Sequence, residues 1–92
     1  MTAEVVDTAH ILARIELDAG RFGPAKAATV AGLAADPCNE MLFRDAIEAA
    51  HRAGDSDEVK RLTAILRSRI DEIDPGCDLE DETVDLLNVV RF

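Results

Sequence analysis

Two stretches of this chain match at a spacing of 34 residues. Gly20-Arg21-Phe22-Gly23-Pro24-Ala25 separates one pair of apolar-periodic segments, and Gly54-Asp55-Ser56-Asp57-Glu58-Val59 separates the next. Ala19 and Ala53 precede the two glycines, and Asp36-Pro37 falls where the first unit would end. Units of this length, with two helical segments around a glycine turn, cannot bury their apolar faces alone and do so by stacking. Superposition at 34 residues places Leu12 on Ala46, Ala13 on Ile47, Ala25 on Val59 and Ala28 on Leu62. Each pair is apolar in both copies, as a shared packing face requires.

The periodicity predicts five helices. The first covers about residues 3–19, turns Val5, Ala9, Leu12, Ala13 and Leu17 inward, and ends at Gly20. Pro24 is expected to open the second, where its missing N–H costs nothing, and Asp36-Pro37 closes it. Asn39 caps the third, whose inward set is Met41, Leu42, Phe43, Ala46, Ile47 and Ala50. Gly54 ends it. Asp55 or Ser56 caps the fourth, with a stripe of Val59, Leu62, Leu66, Ile70 and Ile73. Asp74-Pro75-Gly76 breaks the chain. A last helix, about residues 81–90, uses Val84, Leu87 and Val90 to cover the open end of the stack. The expected fold is all-α: two tetratricopeptide-like antiparallel helix pairs plus a C-terminal capping helix, in one domain over residues 1–92. Gly20, Pro24, Pro37, Gly54 and Pro75 are its structural turn residues.

Charge narrows the partners. The formal net charge is −9, and from Asp71 onward eight acids face Arg91 alone, a segment net of −7. Phosphate backbones would repel such a chain, so direct nucleic-acid binding is not expected. No apolar run reaches the ~18 residues of a membrane span, and no basic stretch leads into a signal peptide. The expected location is cytoplasmic. Cys38 and Cys77 make no disulfide framework. With His10 and His51 they lack zinc spacing, so no metal and no cofactor is expected. No catalytic constellation stands out either: Ser56 and Ser68 lie in no nucleophile elbow, and the glycines form no phosphate loop. Asp81 and Asp85 read as solvated surface acids.

Several runs resemble a known family. Asp36-Pro37-Cys38-Asn39-Glu40-Met41-Leu42-Phe43-Arg44, the Gly54-Asp55 turn followed by Glu58-Val59, and Glu82-Thr83-Val84-Asp85-Leu86 are similar to segments of the bacterial transcriptional activator domain, the tetratricopeptide-like helical domain of actinobacterial antibiotic regulatory proteins. Gly20-Arg21 with Ala25 resembles the preceding copy of the same turn. The resemblance covers about residues 9–87. It implies transcription regulation through protein contacts, within a multidomain regulator of which this chain would be an excised piece.

In tetratricopeptide stacks the first helix of each unit lines a concave groove. Carried onto this chain, that geometry puts His10 and Arg14 beside Arg44, Glu48, His51 and Arg52. Arginines on a groove wall can clamp a carboxylate bidentately, so this strip is the expected partner-binding surface. The competing expectation is that its charges pair among themselves, Arg14 or Arg44 with Glu48. The functional expectation is a protein–protein interaction or oligomerisation module without catalysis, acting on a protein partner or by self-association, with a homodimer as one form. A small ligand-sensing or enzymatic helical bundle is the alternative, and a deep pocket with convergent polar groups would mark it. A purely structural spacer is the third, marked by the lack of any large exposed apolar patch.

Overall fold

A computed structural model describes residues 2–76 and 78–90. The chain is all-α among these residues, with five helices: α1 Thr2–Asp18, α2 Phe22–Ala35, α3 Glu40–Arg52, α4 Ser56–Ile73 and α5 Asp81–Val89. α1 packs on α2, α2 on α3 and α3 on α4; α3 also packs on α1, and α5 packs on α3.

The turns after α1 and α3 are built alike. Gly20 and Gly54 sit at φ 75° and 77°. Arg21 N–H donates to Glu16 O at 2.8 Å and Gly20 N–H to Leu17 O at 3.0 Å. Asp55 N–H donates to Ala50 O at 2.9 Å and Gly54 N–H to His51 O at 3.0 Å. Both are Schellman closures, in which a residue past the helix satisfies its last carbonyls and a left-handed residue turns the chain. The helix starts differ more. Asn39 accepts from Leu42 N–H at 3.0 Å, and Asp55 from Glu58 N–H at 3.1 Å. Pro24 does not open α2, which starts at Phe22. It is the third helical residue and stays within the first turn, where no N–H has an intrahelical acceptor; Ala25 N–H to Arg21 O, 3.1 Å, is the first such bond.

α2 lies close against α1 and α3 at one point. A Cβ on Gly32 would stand 2.7 Å from Ala9 Cβ and 2.6 Å from Leu42 Cδ1. Glycine is thus required by packing. Nearby, Val6, Ala9 and Leu42 form one buried cluster, and Leu17, Ala25 and Ala49 another. The largest cluster joins Phe43, Ala46, Ile47 and Ala50 of α3 to Val59, Leu62 and Leu66 of α4 and to Val90 after α5. Arg69 closes its edge, with its guanidinium 5.5 Å from the Phe43 ring centre and a 2.8 Å hydrogen bond to Pro37 O.

Four inward positions, in three helices, differ from the sequence expectation. In α1, Val6 is buried while Val5 and Leu12 are 44% and 46% exposed. Apolar residues surround most of this helix, so their spacing does not fix its rotation. In α4, Ile73 is exposed, because it lies one turn beyond Arg69, where α4 passes the Pro37 loop. In α5, Val84 is exposed, whereas Thr83 and Val90 are buried and Leu86 and Leu87 pack on the core. Polar bonds to Thr83, described below, set that rotation.

Two glycine substitutions should fail for different reasons. Gly54→Ala meets no atom within 4 Å, so its cost is the left-handed backbone, about 1–2 kcal/mol. Gly32→Ala gains helix propensity but collides with Ala9 and Leu42, and overpacking of this kind costs about 1–3 kcal/mol. Urea midpoints should fall for both. An unchanged midpoint for Gly32→Ala would show that the α2 contact is loose.

Candidate functional site

The inner faces of α1 and α3 form a shallow groove of about 380 Å³, lined by His10, Arg14, Met41, Arg44, Asp45 and Glu48, with Glu82 and Leu86 of α5 at one end. Its charged residues meet across the helices in a fixed register. His10 Nδ1 lies 2.5 Å from Asp45 Oδ2. Arg14 Nη1 donates to Glu48 Oε1 at 2.9 Å and stands 3.6 Å from Asp45 Oδ1. Arg52 Nη2 is 2.7 Å from Glu48 Oε2, an ion pair without hydrogen-bond geometry, since that oxygen has no hydrogen-bond partner. Arg52 Nη1 also reaches Leu17 O at 3.4 Å. The partners are separated by 34 or 35 residues, which means that α1 and α3 run parallel, one repeat apart.

The groove therefore brings together His10, Arg14, Arg44 and Glu48, with Arg52 bonded at its rim. The pairing of Arg14 with Glu48 is one of the two expectations. Arg44 does not pair with Glu48; its Nη1 donates to Glu80 Oε1 at 2.7 Å and to Thr83 Oγ1 at 3.0 Å. His51 is exposed and joins no cluster, because Leu17, the α1 residue in register with it, is turned into the core. With each arginine held by an acid of the same chain, the strip offers no excess of positive charge to an acidic partner.

Asp45 is the residue that sequence reasoning missed. It is 3% exposed in the middle of the α3 apolar run. Burial pushes its carboxyl above the ordinary carboxylate range, and His10 and Arg14 pull it back only in part. A second omission is the clamp at the start of α5. Glu40 Oε1 accepts from Glu80 N–H at 2.9 Å and from the Thr83 hydroxyl at 2.8 Å, while that hydroxyl accepts from Arg44. Glu40 thus ties down the start of a helix whose capping residue, Glu80, makes no capping bond with its own side chain. No group of three His, Cys, Asp or Glu among the described residues could hold a metal ion. Cys38 is a half-buried free thiol, and Cys77 lies outside the described residues.

A second surface lies on the other side of the first hairpin. Ile11 and Ile15 are 58% and 54% exposed, next to the half-exposed Val5 and Leu12. Beside them runs an apolar groove of about 370 Å³ between α1 and α2, in which Glu4 is the only charged lining residue among the described residues. At the 34-residue offset, Thr8, Ile11, Leu12 and Ile15 correspond to Leu42, Asp45, Ala46 and Ala49. All four of those are buried in α3, which packs against the hairpin before it. The exposed α1 face is the face that the second repeat buries.

Two substitutions examine the polar contacts. Thr83→Val keeps the shape but strips partners from Glu40 and Arg44, and should cost about 1–3 kcal/mol in urea unfolding. No cost would mean that the clamp adds nothing to docking. Asp45 should show in the pH dependence of stability. Because its folded-state pKa is raised, the stability gained from its protonated form is present at acid pH. It is lost as pH rises from the ordinary carboxylate range through the raised value. The stability of the wild type minus that of Asp45→Asn should fall across that window; a flat difference would show that Asp45 ionises equally in both states. Among known proteins, no protein-family model, no curated protein and no solved structure matches the chain.

Proposed function

We propose that this chain is a tetratricopeptide-like interaction module that binds a protein partner through the largely apolar face of its first hairpin and performs no catalysis itself. One observation carries the reading: the exposed residues Thr8, Ile11, Leu12 and Ile15 stand where the second repeat has four buried residues. A helical repeat that leaves its stacking face open presents a surface shaped for another helical element. An exposed apolar patch rimmed by polar groups is also the usual mark of a protein contact site. Asp7 and Asp18 are exposed acids on the same helix, and Glu4 lines the groove.

The charged groove supports an internal role better. Its ion pairs join α1 to α3 and α3 to the start of α5, so its side chains are engaged before any ligand arrives. It is open and shallow, unlike the enclosed apolar pockets that hold small molecules. The resemblance to the activator domain supports a place in a cytoplasmic, multidomain transcriptional regulator, in which this module would provide the protein contact.

Residues kept for binding rather than folding tolerate polar replacement. Ile11→Lys combined with Ile15→Lys should preserve helicity. In dilute solution the melting temperature should stay within about 4 °C, the span of the ±0.5 kcal/mol usual for surface substitutions in a domain of this size. Lysine is also a better helix former than isoleucine. A drop of more than about 10 °C would place these side chains in the fold and end the reading.

A further inference from the structure

We infer that the occupant of the α1–α2 face is a second copy of this chain, joined through α1 about a twofold axis. The inference rests on the interaction-module reading and names its partner. The shape is self-complementary. Ile11 and Ile15 form a ridge, and the groove lined by Val5, Thr8, Leu12, Ala28 and Ala31 runs directly beside it. A twofold contact requires one patch to carry both shapes, so that each copy offers its ridge to the groove of the other.

The area is sufficient. A helix of 17 residues is about 25 Å long, and two packed helices present a face about 20 Å wide. The footprint is on the order of 500 Å² per copy, or about 1,000 Å² in total, the lower bound for a specific interface.

Charge selects this face over the others. A chain of net charge −9 repels its own copy. That repulsion is least at this face, where Glu4 is the one charged residue named in the groove lining and α2 carries Lys26 as its one charged residue. The acids of α5 lie on a helix that packs on α3 and not on α1 or α2. A strongly charged partner would find little beyond Glu4 on this face to pair with, whereas a copy brings the same aliphatic surface.

Sedimentation equilibrium over a concentration series tests the inference. The wild type should pass from monomer to dimer below about 1 mM, and added salt should not weaken the dimer, because an apolar contact is not screened. Ile11→Lys with Ile15→Lys should raise the dissociation constant by ~100-fold or more, since four aliphatic side chains leave the interface and like charges face each other. Ile73→Lys, on an exposed site of α4, should leave it unchanged. A wild type that stays monomeric to about 1 mM overturns the inference without any variant. If the double variant then keeps its dilute-solution melting temperature, the interaction-module reading survives with a different partner. A dimer that persists in the double variant, or one that dissolves in salt, overturns the inference by placing the contact elsewhere.

Discussion

Everything in this fold depends on how closely α2 approaches its two neighbours at Gly32. Ala9 and Leu42 both come within 3 Å of where a side chain would begin. That contact fixes the depth at which α2 sits between α1 and α3, and so the distance at which α1 and α3 meet. The offset between those helices then follows from the two identical glycine turns, which end α1 and α3 at equivalent residues. Once the offset is set, His10 must face Asp45 and Arg14 must face Glu48. The charged groove is a consequence of apolar packing, and its pairs mark a register that packing has already chosen.

Those pairs add specificity more than stability. Asp45 loses hydration on burial, and the upward shift of its pKa shows that its partners do not fully offset the loss. The exposed members of the belt are worth little each. A slip of one residue between α1 and α3 would part His10 from Asp45 and strand a buried carboxylate. The competing register is thus penalised even though the native one gains little. Glu58 shows the same arrangement on the opposite side, held between Lys26 of α2 and Arg61 of its own helix.

The sequence shows the elements clearly and their rotation less well. Gly20, Gly54, Asn39 and Asp74-Pro75-Gly76 mark where helices stop and start because they act locally, through backbone dihedrals and capping bonds. The inward face of α3 was equally legible, since its apolar residues fall on one side and its charges, Asp45 apart, on the other. α1 has no such contrast. Valine, isoleucine, leucine and alanine occur almost all round it, so Val6 and Val5 could not be ranked until α3 was in place. In α5 the apolar residues Val84 and Leu87 suggested one rotation, and a threonine bonded from another helix imposed a neighbouring one. Asp45 was hidden for the same reason. Its partner His10 is 35 residues away, and nothing near it in the chain announces a buried acid. The groove was foreseen as a place and Arg14 with Glu48 as one of its pairs; the acid that holds Arg44 was not, because Glu80 lies beyond the Asp74-Pro75-Gly76 break.

The clamp at the start of α5 also orders events in time. Nine residues are too few for a helix to persist alone in water. Its start is tied down by Glu40, which is in position only when α3 has formed. α5 therefore has no independent route to the folded state. The two hairpins close through short-range contacts, and α5 condenses on them afterwards. In the native ensemble it should be the first segment to detach, in a partial opening that uncovers one edge of the Phe43 cluster while both glycine turns remain intact.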